Sequence, residues 1–225
     1  IASIQRVVDS FLQQENLSAS GAASQFDTAA SFFTQLNGLL GGPGDNQSMA
    51  TGLTNLAAAF GVASQAPSSS SSSTAVLNSL QGLATDISNV SGTISSLQAQ
   101  VDNQVVNSIS STNDLIKQIY TLNQQIKTQT ATGNTSSALL DQRDSALNSL
   151  SKIIGIRVNQ QADGGFNVTT TDGINLVSNT YGVLSYAGGV QNGTYGNIQI
   201  QDTNPQSGQV IGQAIALDPH LSGGS

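Results

Sequence analysis

The sequence predicts an α+β protein, an elongated antiparallel helical bundle (a rod) over 1–154 followed by a small antiparallel β domain over 155–217. Three observations predict it. A stripe of apolar residues at steps of three and four runs from Leu80 to Ile126. The period then falls to two at Ile156 and Val158. From there on, Gly-containing turns cut the chain into short pieces: Asp163-Gly164-Gly165, Thr171-Asp172-Gly173, Gly188-Gly189 and Asn192-Gly193.

The first predicted helix covers about 3–40, with Ile4, Val7 or Val8, Phe11, Ala19, Ala22, Phe26, Ala29, Phe33, Leu36 and Leu40 on one stripe. Its middle, Glu15 to Gly21, carries little apolar pattern and is expected to fray or bend. Gly41-Gly42-Pro43-Gly44-Asp45-Asn46 breaks the helix. Ser48 is placed to cap a second helix over 48–65, with Met49, Leu53, Leu56 and Phe60 on one face. Six serines, Ser68 to Ser73, read as a polar connector that buries nothing.

The third helix, over 74–130, is the one the rest is organised around. Leu80, Leu83, Ile87, Val90, Ile94, Leu97 and Val101 form its stripe. After Val101 two steps of four lead to Val105 and Ile109, a stutter that locally unwinds a supercoil. The stripe resumes through Thr112, Ile116, Ile119, Leu122 or Asn123, and Ile126. Such a helix is roughly 80 Å long at about 1.5 Å per residue, and it needs partner helices against its apolar face. Ile94 and Ile119, both on the stripe, are expected to be buried. Ala131-Thr132-Gly133-Asn134 turns the chain. Ser136 or Ser137 then caps a fourth helix over 136–154, and the short link makes it an antiparallel neighbour of the third.

The β half is expected to hold five or six strands. They lie around Ile156 and Val158, Phe166 to Thr170, Ile174 to Val177, Tyr181 to Leu184, Asn197 to Gln201, and Val210 to Leu217. Residues 218–225 read as a tail leading into a C-terminal part beyond the sequence. Starting at Ile1 with no initiator Met, the chain is taken as processed or as cut from a longer protein.

Composition narrows the function. Only 8% of the 225 residues are charged, against the usual quarter. Six Lys and Arg against thirteen Asp and Glu leave a net charge of −7, which argues against nucleic acid and anionic membranes as partners. No run of apolar residues is long enough for a spanning helix. With no Cys there are no disulfides, thiolate metal sites or thiol nucleophiles.

The candidates for chemistry are few. His220 is the lone His, beside Pro219, and reads as a loop residue. Asp141 and Asp144 stand three apart on a helix with Arg143 between them; they could hold a metal, but fit better as helix-start acids beside an Arg that bridges to a neighbouring element. Asp163 and Asp172 sit in turns and lack the further acids of a calcium loop. Asn16-Leu17-Ser18 and Asn192-Gly193-Thr194 match a glycosylation acceptor, as chance alone would produce in so Asn- and Ser-rich a chain. No catalytic, cofactor-binding or metal-binding residue is assigned, no cofactor is expected, and an enzyme is not.

Several stretches together resemble the flagellar hook-associated protein 1 family. Ser3-Ile4-Gln5-Arg6-Val7-Val8-Asp9-Ser10-Phe11-Leu12 is similar to the start of that family's core. So are, in order, Leu122-Asn123-Gln124-Gln125-Ile126, Leu139-Leu140-Asp141-Gln142-Arg143-Asp144, Leu150-Ser151-Lys152 and Asp163-Gly164-Gly165-Phe166-Asn167-Val168. The resemblance covers nearly the whole chain. It implies a core fragment without both terminal helices, whose isolated form is monomeric. It also implies a non-catalytic structural subunit that self-associates into a ring between flagellar hook and filament. The implied partners are the hook protein, the second hook–filament junction protein, and an export chaperone acting through the missing C-terminus. The implied location is the extracellular flagellum, reached through the flagellar type III apparatus. Other readings are a flagellin or the second junction protein, a secreted adhesin-type binding module, and a wall hydrolase carried on an axial protein.

Overall fold

The structure, a computed structural model, describes residues 2–41, 48–134, 136–189 and 194–218, and for residues 2–10, 39 and 40 the backbone alone. Four helices precede six strands: α1 (Ala2–Leu40), α2 (Met49–Gln65), α3 (Ser70–Ala131), α4 (Ser137–Ile153), β1 (Ile156–Gln160), β2 (Phe166–Thr170), β3 (Asn175–Val177), β4 (Tyr181–Tyr186), β5 (Ile198–Thr203) and β6 (Val210–Ala216). The α+β class read from the sequence is the observed one. The chain divides into two compact units, one of Ile1–Ala29 with Asp102–Ser225, the other of Ala30–Val101.

Within Ala30–Val101, α2 begins where the pattern placed it. Ser48 has extended backbone and its Oγ accepts the Thr51 N–H at 3.1 Å, satisfying one of the donors a helix start leaves unpaired. α2 and α3 meet at Gly52, where a Cβ would stand 3.2 Å from Leu83 Cδ1 and 3.3 Å from Asp86 Oδ2. The serine run is not a connector throughout: α3 already starts at Ser70. Ser69 Oγ accepts the Ser72 N–H at 3.4 Å, so the hydroxyl that makes Ser a poor core residue makes it a helix start.

In the larger unit the six strands form one antiparallel sheet in the order β1-β2-β3-β4-β5-β6, each hairpin pairing with the next. The β1–β2 register runs from Ile156 opposite Thr170 to Gln160 opposite Phe166. Its turn has Gly164 at φ 85°, with the Gly165 N–H held by Asp163 Oδ1 at 3.0 Å. The next turn puts Gly173 at φ 91°. Both glycines occupy the left-handed region that other residues enter at a cost. An irregularity between Val168 and Thr169 shifts the β2–β3 register.

One face of the sheet packs on the helices. Ile156, Phe166, Val168, Leu176, Val177, Leu184 and Ile200 share a core with Ile116 and Ile119 of α3 and Ala146, Leu147 and Leu150 of α4. Ile119 and Leu150 each lie about a dozen residues from the intervening turn, as antiparallel packing requires. The first helix does not fray between Glu15 and Gly21. α1 is continuous there, and Leu17, absent from the stripe, is its residue in the core. Weak local pattern is outweighed by one well-placed tertiary contact.

Candidate functional site: the helix–sheet joint and the exposed helix faces

Three side-chain amides join helices to the sheet, each pairing one backbone carbonyl and one backbone N–H of a strand. Asn123 of α3 donates from Nδ2 to the Phe166 carbonyl at 2.8 Å, and its Oδ1 accepts the Phe166 N–H at 3.1 Å. Asn113, also on α3, does the same to Leu184, at 2.9 and 2.7 Å. Gln14 of α1 donates to the Ile156 carbonyl at 2.9 Å and accepts the Val158 N–H at 3.0 Å. An amide has the donor and acceptor of a peptide group, so each stands in for a residue of a neighbouring strand. Buried backbone groups must be paired, and these amides pair them where no strand does.

Arg143 supplies a fourth tie. It is almost wholly buried, with its guanidinium carbon 3.5 Å from the centre of the Phe166 ring and Nη1 donating to the Gly164 carbonyl at 2.8 Å. Burial pulls its pKa down from the ordinary value, with Asp144 acting in the opposite sense. Burial also pushes the Asp144 carboxyl up, offset by Arg143 and by the hydrogen bond from Gln13 at 3.0 Å. For both groups desolvation outweighs their mutual attraction. Asp141 lies exposed on the same helix. At the β1–β2 turn, Lys127 of α3 and Asp163 form an ion pair at 3.0 Å. The Asp163 carboxyl is held below its usual range, chiefly by the Gly165 N–H.

Further along α3, Asp102 ties down the end of β4. The Tyr186 hydroxyl donates to its Oδ1 at 2.6 Å, and the Gly189 N–H reaches both carboxylate oxygens at 3.0 and 3.1 Å. The approach is close: a Cβ at Gly196 would overlap the Ala187 carbonyl oxygen. The Tyr186 bond, then the Gly189 N–H, lower the Asp102 pKa. Burial, then the bond to Asp102 and its charge, push the Tyr186 phenol up to about 12. A depressed carboxyl contributes stability above its unfolded pKa and loses it as pH falls through the folded value. A raised phenol contributes stability below its unfolded pKa of 10.0 and loses it as pH rises towards about 12. Asp102→Asn is expected to bring the Tyr186 ionisation down towards 10.0. The check is the difference between ultraviolet titrations with and without Tyr186→Phe, in wild type and in Asp102→Asn. An unmoved ionisation would show that Asp102 does not hold the phenol.

The helices also leave apolar faces uncovered. On α3, Leu80, Ile87 and Ile94 recur every seven residues and are 42%, 50% and 40% exposed. The expectation that Ile94 is buried is therefore corrected, whereas Ile119 is fully buried. α2, with Leu53 and Phe60 exposed, buries none of its own residues. On α1, Phe26 and Phe33, again seven apart, are 72% and 69% exposed. A heptad-spaced apolar seam is the pattern that pairs helices in coiled coils, and solvent-facing apolar rows of this kind mark interaction surfaces.

The other candidate residues fall elsewhere. His220, Pro219, Asn192 and Gly193 lie outside the described residues, as do Gly42 to Gln47. Asp172 is exposed in its turn. Asp202 accepts from Asn175 at 3.5 Å, and the Asp218 carboxylate accepts the Ile198 N–H at 3.0 Å. Among the described residues no three Asp, Glu or His converge as metal ligands would, and no helix is long and apolar enough to cross a membrane. Sequence reasoning missed Gln14 and Asn113. Asn123 left a trace as a polar residue in phase with Ile116, Ile119 and Ile126.

Comparison with known proteins agrees with this architecture. The model of the flagellar hook-associated protein FlgK helical domain matches residues 33–224. The chain belongs to that family. Flagellar hook-associated protein 1 of Salmonella typhimurium is 28% identical over 184 residues, covering 79% of this chain and 32% of the relative. Its counterpart in Bacillus subtilis is 25% identical over 175 residues, covering 76% and 34%. The solved structure of the flagellar hook junction protein FlgK from Burkholderia pseudomallei superposes with a TM-score of 0.80 at 25% identity, over 94% of this chain and 37% of that one. The chain thus spans about a third of the length of these FlgK relatives.

Proposed function

We propose that this chain is the core of a structural subunit that joins the hook of the bacterial flagellum to its filament. The observation that carries the reading is the family match over 33–224, together with a fold like that of a flagellar hook junction protein. The subunit self-associates into a ring, with the hook protein on one side and a second junction protein on the other. It acts outside the cell after export through the flagellar type III apparatus, with a chaperone bound to a C-terminal part beyond residue 225. It carries out no catalysis. The apolar rows on α1 and α3 support assembly as the task, because they offer surface for helices to cover, and the polar groups of the joint are spent on holding the sheet. The division into a helical rod domain at 1–154 and a β domain at 155–217 belongs to the same proposal.

Complementation tests it. Residues 1–225 replace the matching core of a junction-protein gene that keeps its own terminal helices, in a strain lacking that gene. Restored filaments and swimming are expected. An exported chimera that leaves filaments shed into the medium would overturn the junction reading, and rescue of a flagellin-deletion strain instead would assign the chain to the filament. The isolated chain is expected to be a monomer by light scattering; a stable oligomer of defined size would contradict this.

A further inference from the structure

Part of α3 is bare around its whole circumference. From Ser72 to Val90 the helix keeps one covered side, where Ser72, Val76, Ser79, Leu83, Asp86 and Val90 are buried or half-buried at steps of three and four. The next step falls on Thr93 or Ile94, and both are exposed, as are all six residues from Ser91 to Ser96. Six residues make well over one helical turn, so among the described residues no element covers this stretch from any side. Cover returns at Leu97 and Val101. Helices in proteins draw most of their stability from packing, so this turn rests on its own sequence, and that sequence is weak. Ser91, Gly92, Thr93, Ile94, Ser95 and Ser96 include none of the strong helix formers.

The local hydrogen bonding acts in the same direction. Thr93 Oγ1 donates to the Asn89 carbonyl at 2.8 Å, Ser95 Oγ to the Ser91 carbonyl at 3.0 Å, and Ser96 Oγ to the Gly92 carbonyl at 3.0 Å. Each hydroxyl competes for a carbonyl with the amide that closes the helix there, which loosens and bends helices. Ser91-Gly92 is a Gly/Ser pair, a recurrent place for kinks. Space does not require this glycine, since a Cβ at Gly92 would meet nothing within 4 Å. What Gly92 supplies is backbone freedom alone. The helix is held before and after the turn. Leu83 and Asp86 stand against Gly52 of α2, and Asp102 holds Tyr186 and Gly189. We propose that Ser91–Ser96 is a flexure, a turn at which α3 bends and locally opens while the packed stretches on either side stay helical. In a subunit that passes load between hook and filament, this turn takes up the bending. That use rests on the proposed function; the flexure itself does not.

Spin labels test this directly, because a chain without Cys takes them only where Cys is introduced. Thr85→Cys with Gln100→Cys brackets the turn, and Ser110→Cys with Gln125→Cys spans an equal length of α3 further on; all four positions are exposed. The distance distribution across the turn is expected to be about twice as wide as that of the second pair. Gly92→Ala combined with Ser95→Ala and Ser96→Ala should narrow it to match, since Ala raises helix propensity and the methyl added at residue 92 meets nothing. Amides of Thr93–Gln98 should exchange hydrogen at least about tenfold faster than those of Leu83–Ile87, and the triple variant should slow them. Equal widths for the two label pairs would overturn the proposal. So would a wide distribution that the triple variant leaves unchanged, which would place the motion outside this turn. Shed filaments in the complementation strain, together with a wide distribution across the turn, would overturn the junction role and uphold the flexure.

Discussion

Ile119→Asp is expected to destabilise the sheet-bearing unit by roughly 3–5 kcal/mol, because an unpaired carboxylate would sit in a core that offers it no partner. Ile119 is fully buried among Ile116, Leu147 and Leu150. A loss of that size is a large fraction of the stability of an ordinary domain. Ile94→Asp is the control on the same stripe and the same helix. At 40% exposure its carboxylate stays hydrated, so the change should remain within about 0.5 kcal/mol. Denaturant unfolding followed by circular dichroism measures both. Equal losses at the two positions would show that the α3 seam is buried along its whole length.

Asn123→Ala should cost roughly 2–4 kcal/mol, since it deletes two hydrogen bonds and leaves the Phe166 N–H and carbonyl unpaired in the core. Asn123 is buried, and so are both its hydrogen bonds. Asn113→Ala, whose bonds to Leu184 are part-buried, should cost about half as much, because water can reach the freed groups. Gln14→Ala acts at a part-buried sheet edge and should cost less again, about 1 kcal/mol. The order Asn123, Asn113, Gln14 in melting temperature is the expected result. An inverted order would mean that the amides are replaceable by solvent and that packing alone holds helix to sheet. Chemical shifts at Phe166, Leu184 and Val158 would show that each variant acts at its own strand residue.

Sequence patterns determined the α+β class, the succession of four helices followed by five or six strands, of which the structure has six, and the turns at Asp163 to Gly165 and Thr171 to Gly173. They also determined the cap at Ser48 and a family membership carried by runs such as Leu139 to Asp144. These are local properties. Period, capping and left-handed glycine turns depend on residues within a few positions of one another. What only the tertiary structure decided is where those patterns are covered. Leu80, Ile87 and Ile94 repeat as regularly as Ile116, Ile119 and Asn123, yet the first set faces solvent and the second lies under the sheet. A stripe states that a helix has an apolar side, but burial depends on what the rest of the chain brings against it. The same holds for the joint. Nothing near Gln14 in sequence marks it out from the other glutamines; its role is set by the backbone of β1, some 142 residues away. Leu17 likewise enters the core from a segment with almost no pattern of its own, because one contact with a distant sheet outweighs weak local periodicity.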